Sequence, residues 1–241
     1  MYLICKIEML YREYIYIITK KIINQKSKKS KMIGQTLTTE AVAAAASVNI
    51  VKYCNISYKL DIVVHKKYLK DSESDALLHN ILSEPRNMKY PLLTKAGQPS
   101  KKRNGTIYGD IKEYIITYRG QIIKKPVYPL NSEFKELRNK IMETTQQNYN
   151  TCALQIYNSG VVGIKPHRDK EMNDGSKIAS ISLGESRVMR FERNGFEPID
   201  IMLEKGDLCI IHYPTNNYWL HSIPTDNTTQ VRASLIYRNF E

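Results

Sequence analysis

The 241 residues carry a formal net charge of +12, with 42% hydrophobic and 25% charged side chains. A chain of this length and polarity can bury one sizeable core, which sets the expectation of a single folded domain with an N-terminal extension. It has no internal repeat and no long uncharged apolar run, which argues against solenoid arrays and helical membrane proteins.

The extension, residues 1–47, opens on Met1 to Ile23, rich in Ile, Leu and Tyr but interrupted by Lys6, Glu8, Arg12, Glu13 and Lys20. No small-residue cleavage site of the secretory type follows it. Amphipathic helix, short strand and disorder all remain open for this stretch. Residues 1–31 hold eight Lys or Arg against two acids. Within them, Lys26-Ser27-Lys28-Lys29-Ser30-Lys31 reads as a solvated linker, with a nuclear address as the functional alternative. Thr39 to Ser47, with five alanines, predicts a short helix.

From 48 to 241 the pattern is α+β. Ile62-Val63-Val64 reads as a strand, and Ser72 or Ser74 as the cap of a helix running to about Leu82. His65 and His79 in this part read as structural or surface residues. Residues 86–125 hold ten Lys or Arg against two acids, with Tyr90, Tyr108, Tyr114 and Tyr118 interleaved. A basic run is commonly a solvated face; its position just before the strand-rich C-terminal part favours a lid that tracks phosphates. Ser132 followed by Phe134, Leu137 and Ile141 predicts a second amphipathic helix. From Cys152 onward short strands dominate, over 152–158, 178–183, 187–192, 199–203, 207–212 and 231–238, punctuated by glycines. Antiparallel strands closing into a jelly roll (a double-stranded β-helix), flanked by the helices of the N-terminal part, suit this order.

The chemistry is carried by His167-Arg168-Asp169, His221, and the run Arg232-Ala233-Ser234-Leu235-Ile236-Tyr237-Arg238. Two imidazoles and one carboxylate are the ligands of the facial triad that holds Fe(II) and leaves positions open for a chelating 2-oxo acid and dioxygen. His-x-Asp alone is commonplace. Here its two side chains, two residues apart on a strand, share one face, and Arg232, Ser234, Ile236 and Arg238 share another. Arg232 with Ser234 suits the far carboxylate of 2-oxoglutarate, and Arg238 the end nearer the metal; lysine would lose the planar fork. His212 precedes the Pro-Thr-Asn turn and reads as a packing residue, because a fourth ligand would close the open site. Cys5, Cys54, Cys152 and Cys209 show no paired metal spacing, and Cys209 reads as a buried small hydrophobe. Free thiols and ferrous chemistry both suit a reducing interior, the nucleus or cytoplasm.

These motifs, in this order, resemble the AlkB family of Fe(II)/2-oxoglutarate-dependent nucleic-acid demethylases, particularly its eukaryotic DNA-repair branch. The resemblance covers about residues 85 to 240 and rests on seven anchors. They are Tyr108-Gly109-Asp110; Gln155 to Gly160; His167 to Glu171; Ala179 to Gly184; His212 to Asn216; Trp219 to Ser222; and Arg232 to Arg238. It implies that His167, Asp169 and His221 ligate Fe(II). It implies that Tyr157, Gln155, Arg232, Ser234 and Arg238 bind 2-oxoglutarate, although relatives usually carry asparagine at the positions of Gln155 and Ser234. It makes Glu171 the reader of the damaged base, Tyr118 its stacking partner, and Arg103 and Tyr108 substrate contacts. Ile116 stands where an aromatic is common.

The implied reaction is oxidative demethylation of 1-methyladenine or 3-methylcytosine in DNA, with dioxygen and 2-oxoglutarate consumed and formaldehyde released. The target base leaves the stack to reach the metal. An RNA demethylase, one acting on protein, and a catalytically inactive nucleic-acid binder are the alternatives. The expected protein is a monomer without membrane association. Leu92, Leu93 and Tyr90 are the local apolar side chains able to fill the gap left by a flipped base.

Overall fold

The computed structural model describes residues 49–118, 121–169 and 175–240, with the side chains of 49 and 116–118 excepted. In chain order its elements are β1 (Asn49–Asn55), β2 (Leu60–Lys66), α1 (Asp71–Ser83), β3 (Asn104–Gly109), β4 (Glu113–Tyr118), β5 (Gln121–Tyr128) and α2 (Ser132–Thr145). There follow β6 (Thr151–Tyr157), β7 (Ile164–His167), β8 (Ile178–Gly184), β9 (Arg187–Glu192), β10 (Ile199–Leu203) and β11 (Leu208–Ile211). The one-turn helix α3 (Thr215–Tyr218), β12 (Leu220–Ile223) and β13 (Arg232–Arg238) complete it. Nine strands form one sheet in the order β1-β2-β11-β8-β13-β6-β3-β5-β4, and four form a second, β10-β9-β12-β7. This is the sheet-rich jelly roll the strand pattern predicts.

Period-two alternation divides the large sheet into two faces. On β13, Ala233, Leu235 and Tyr237 point one way and join Cys152, Leu154 and Ile156 of β6 and Ala179, Ile181 and Leu183 of β8. The helices cover this face. Phe134, Leu137 and Ile141 of α2, spaced by three and four residues, form its apolar stripe, and Leu77 and Ile81 that of α1. The opposite face turns toward the small sheet, where Tyr157, Ile178 and Ile211 meet Met189, Phe191 and Ile223. The functional cavity opens between these two layers.

One expectation is corrected. The first helix starts at Asp71, with the Lys70 amide donating to Glu73 Oε2 (2.7 Å); Ser74 is buried inside it and caps nothing. The second helix runs from Ser132, as expected, and is capped by Asn131, whose Oδ1 accepts the Phe134 amide (2.8 Å). In the segment 86–125, expected as a lid, β3 pairs along its length with β6 in the large sheet, and β4 and β5 form a hairpin beside it. Cys209 is buried, as expected. His65 is half-buried and His79 lies on α1. The alanine-rich segment 39–47 and the basic run 26–31 lie outside the described residues. Among the described residues no helix is long and apolar enough to cross a membrane.

Candidate metal and co-substrate site

The antiparallel pairing of β7 with β12 sets His167 directly opposite His221. Cross-strand partners present side chains to the same face, and the two rings lie 4.4 Å apart, centroid to centroid. Asp169, two residues beyond His167, returns to that face. Its Oδ1 lies 3.7 Å from His167 Nε2 and its Oδ2 4.0 Å from His221 Nε2. One ligand atom from each residue falls within 4.8 Å of the others, so a single ion can meet all three.

Surrounding groups orient the three. The Lys165 carbonyl lies 2.9 Å from His167 Nδ1, which places the proton there and leaves Nε2 bare for a metal. Asp169 is held by its backbone: its amide donates to Asn216 Oδ1 (3.1 Å), and Asn216 Nδ2 donates to its carbonyl (2.7 Å). Asn216 sits on α3, which Thr215 ties to β2 by accepting the Asp61 amide (2.7 Å) and donating to the Asp61 carbonyl (3.0 Å). Arg238 Nη2 lies 2.8 Å from Asp169 Oδ2. Burial alone would raise the Asp169 pKa; Arg238, His221 and His167 outweigh it and hold the carboxyl below its usual range. Burial pushes His221 down to about 4, so its imidazole is neutral, as a ligand must be.

Next to this trio lies a cavity whose lining includes Tyr157, Arg232, Ser234, Ile236 and Arg238 with both histidines. All four inward residues of β13 reach it, as their alternation predicts. Arg232 is 1% exposed. Its Nη2 donates to Ser182 Oγ (3.1 Å), while Nε and Nη1, like Arg238 Nε, have no hydrogen-bond partner among the described residues. Idle donors on a buried cation are costly unless an anion fills the space. The donor set therefore fits a carboxylate-bearing co-substrate beside a divalent metal.

The other predicted residues separate. Gln155 faces Ser234 across the β6–β13 ladder and packs over Gly105, outside the cavity lining. Arg103 reaches the site's edge: it donates to the Gly163 carbonyl (3.2 Å) and lies 6.0 Å from the Tyr157 ring centroid. Tyr108 is a correction. Its hydroxyl donates to Asn87 Oδ1 (2.7 Å) and its ring packs edge-on against Phe134 at 5.1 Å, in the helix-side core and away from the cavity. Glu171 and the Tyr118 side chain lie outside the described residues. His212, 4.0 Å from Asp61, is not among the grouped ligands.

A sequence profile described as the 2OG-Fe(II) oxygenase superfamily matches residues 61–238. The chain belongs to that superfamily. Within the oxygenases it resembles the DNA oxidative demethylase ALKBH2 of Mus musculus, 31% identical over 137 residues, 52% of this chain and 56% of the relative. The alpha-ketoglutarate-dependent dioxygenase alkB homolog 3 of the same species is 30% identical over 115 residues, 42% of this chain and 40% of that protein. The chain thus spans about half the length of the curated relatives it matches. The solved structure of OsALKBH1 superposes with a TM-score of 0.57 at 12% identity, covering 78% of this chain and 100% of that one, a likeness of fold. Together the relatives support the AlkB branch of the oxygenases. The sequence motifs missed the grip of Asn216 on Asp169 and the buried clamp of Arg187. Arg187 donates to the carbonyls of Ser159, Gly160, Val162 and Pro224 and pairs with Asp226 (2.7 Å).

Proposed function

We propose that this oxygenase oxidatively demethylates N-alkylated bases in DNA, of the 1-methyladenine and 3-methylcytosine type. The observation that carries the reading is the pair of under-satisfied arginines, Arg232 and Arg238, lining the same cavity as the His-Asp-His group. The names of the ALKBH2 and alkB homolog 3 relatives support the substrate class, and so does the cluster of ten basic residues over 86–125.

His167, Asp169 and His221 would hold Fe(II). With 2-oxoglutarate and dioxygen the bound iron supplies oxidation of an N-methyl group, coupled to decarboxylation of the co-substrate to succinate. Arg232 and Ser234 would grip the distal carboxylate, and Arg238 both steadies Asp169 and faces the metal end. Ile178, Met189, Ile211, Ile223 and Ile236 make the walls apolar, which keeps water from the reacting carbon. The hydroxylated methyl group leaves the base as formaldehyde. Glu171 would favour a cationic methylated base by charge-assisted hydrogen bonding and Tyr118 would stack on it.

Of the three wedge candidates, Leu93 is 55% exposed, on a turn closed by its bridge to Pro99. Leu92 packs on the core, and Tyr90 is fixed by its backbone bonds to Asn104. Leu93 would fill the stack vacated in duplex DNA.

Formaldehyde release from methylated single-stranded DNA, duplex DNA and RNA tests the reading. Turnover on DNA supports it, turnover confined to RNA transfers the activity to that substrate, and inactivity on all three refutes it.

A further inference from the structure

One surface cluster takes no part in the chemistry above. Arg193, in the turn after β9, lies over two rings, its Cζ 4.6 Å from the Phe196 centroid and 5.3 Å from that of Tyr218. Its Nη1 donates to the Tyr58 carbonyl (2.7 Å), which fixes the guanidinium in place. Arg168, between His167 and Asp169 in sequence, donates to the Tyr218 carbonyl (3.4 Å). Two cations therefore converge on one tyrosine that is 42% exposed, and among the described residues neither has a carboxylate partner. Like charges gathered without a counter-charge attract an anion from solution. An exposed ring backed by a guanidinium is a platform for an unpaired base.

The placement is equally informative. Arg103, from the basic segment, binds the carbonyl of Gly163 just before β7, and Arg168 follows the end of β7. The stretch from 163 to 168 extends roughly 16 Å at ~3.3 Å per residue, about five stacked base steps at ~3.4 Å each. His167 lies within it.

We infer that Arg168, Arg193 and Tyr218 form a second anchor for the substrate strand, binding the phosphates and one unpaired base of single-stranded nucleic acid beyond the target. The inference rests on the nucleic-acid substrate proposed above. Arg103 takes one end of the strand and this cluster the other, with the metal centre between them.

Fluorescence anisotropy on an unmodified twelve-nucleotide strand, across a salt series, tests it with the full chain. Arg168→Ala and Arg193→Ala should each weaken binding and lower the slope of log affinity against log salt by about 0.7, the contribution of one phosphate on a single strand. Tyr218→Ala should weaken binding about tenfold without changing that slope, and abolish quenching of a 2-aminopurine placed over it. Arg193→Lys should keep the slope while losing part of the affinity. If Arg193→Ala fails to fold, the exposed Arg168→Ala decides alone. An unchanged slope in Arg168→Ala overturns the inference, as does preference of the cluster for an acidic peptide or an anionic vesicle over the strand. Cluster-dependent strand binding by a protein that turns over no methylated base would sink the demethylase reading and leave the anchor standing. Demethylation of long strands unaffected by the three substitutions would do the reverse.

Discussion

Replacing Arg232 by methionine should separate two effects that ordinarily travel together. Burial pushes the pKa of this guanidinium down, its Nη2 donates to Ser182, and its Nε and Nη1 have no hydrogen-bond partner among the described residues. Deleting it forfeits about 1–2 kcal/mol of hydrogen bonding but relieves an uncompensated buried charge worth several kcal/mol. The co-substrate-free protein should therefore gain between zero and about 3 kcal/mol of stability. With 2-oxoglutarate the sign reverses. Loss of a desolvated arginine–carboxylate pair costs about 3–5 kcal/mol, or roughly two to three and a half orders of magnitude in affinity. Thermal melts of metal-loaded protein read both effects. At a hundredfold excess over Kd the wild type should gain about 2.7 kcal/mol, some 5–10 °C for a chain of this size, and R232M almost nothing. A variant that melts well below the wild type without ligand, or keeps the full ligand shift, would refute the reasoning.

Asn216→Ala removes both hydrogen bonds that fix the Asp169 backbone, so metal affinity should fall about 10–100-fold; a metal titration that matches wild type would show the grip to be incidental. In metal-free protein, the depressed pKa of His221, about 4 against 6.5, means the unfolded chain takes the proton first. Stability from this group is complete above pH ~6.5 and declines as pH falls toward 4, by about 3 kcal/mol. Urea unfolding across that window checks it, and a flat profile contradicts it. At Gly160 an added Cβ would stand 2.6 Å from the Asp226 backbone oxygen, in the loop that Arg187 clamps. Gly160→Ala should lower the melting temperature by several degrees, by about 1–3 kcal/mol of overpacking; an unaltered melt would mean the loop yields freely.

Much of the site was legible because alternation carries direction. The order of residues on β13 alone assigns Arg232 and Arg238 to one face and Leu235 to the other, and only the partner face remained to be found. Tyr108 was misread because β3 is buried on both sides, so its own sequence has no preferred face. Pairing with Cys152 of β6, itself in the helix-side core, decides it. β5 escaped notice for the opposite reason: five of its eight residues are exposed, leaving no apolar period to read. Ser74 looked like a cap because small hydroxyl residues usually are. Its true task is to be small where α1 meets Gly206, whose added Cβ would lie 3.2 Å from its Oγ. Asn216 was invisible as a positioning residue because its partner is a backbone 47 positions upstream.

The pairing of His167 with His221 carries one more implication. β7 is a four-residue edge strand, joined to β12 through this pair and Ile223–Ile164 with an irregularity between them. An ion bridging those two rings would also rivet the sheet's rim. Metal occupancy and fraying of that rim are then linked equilibria: chelation should expose the chain around Gly163 to proteases, and a strand lying along β7 would slow the ion's escape.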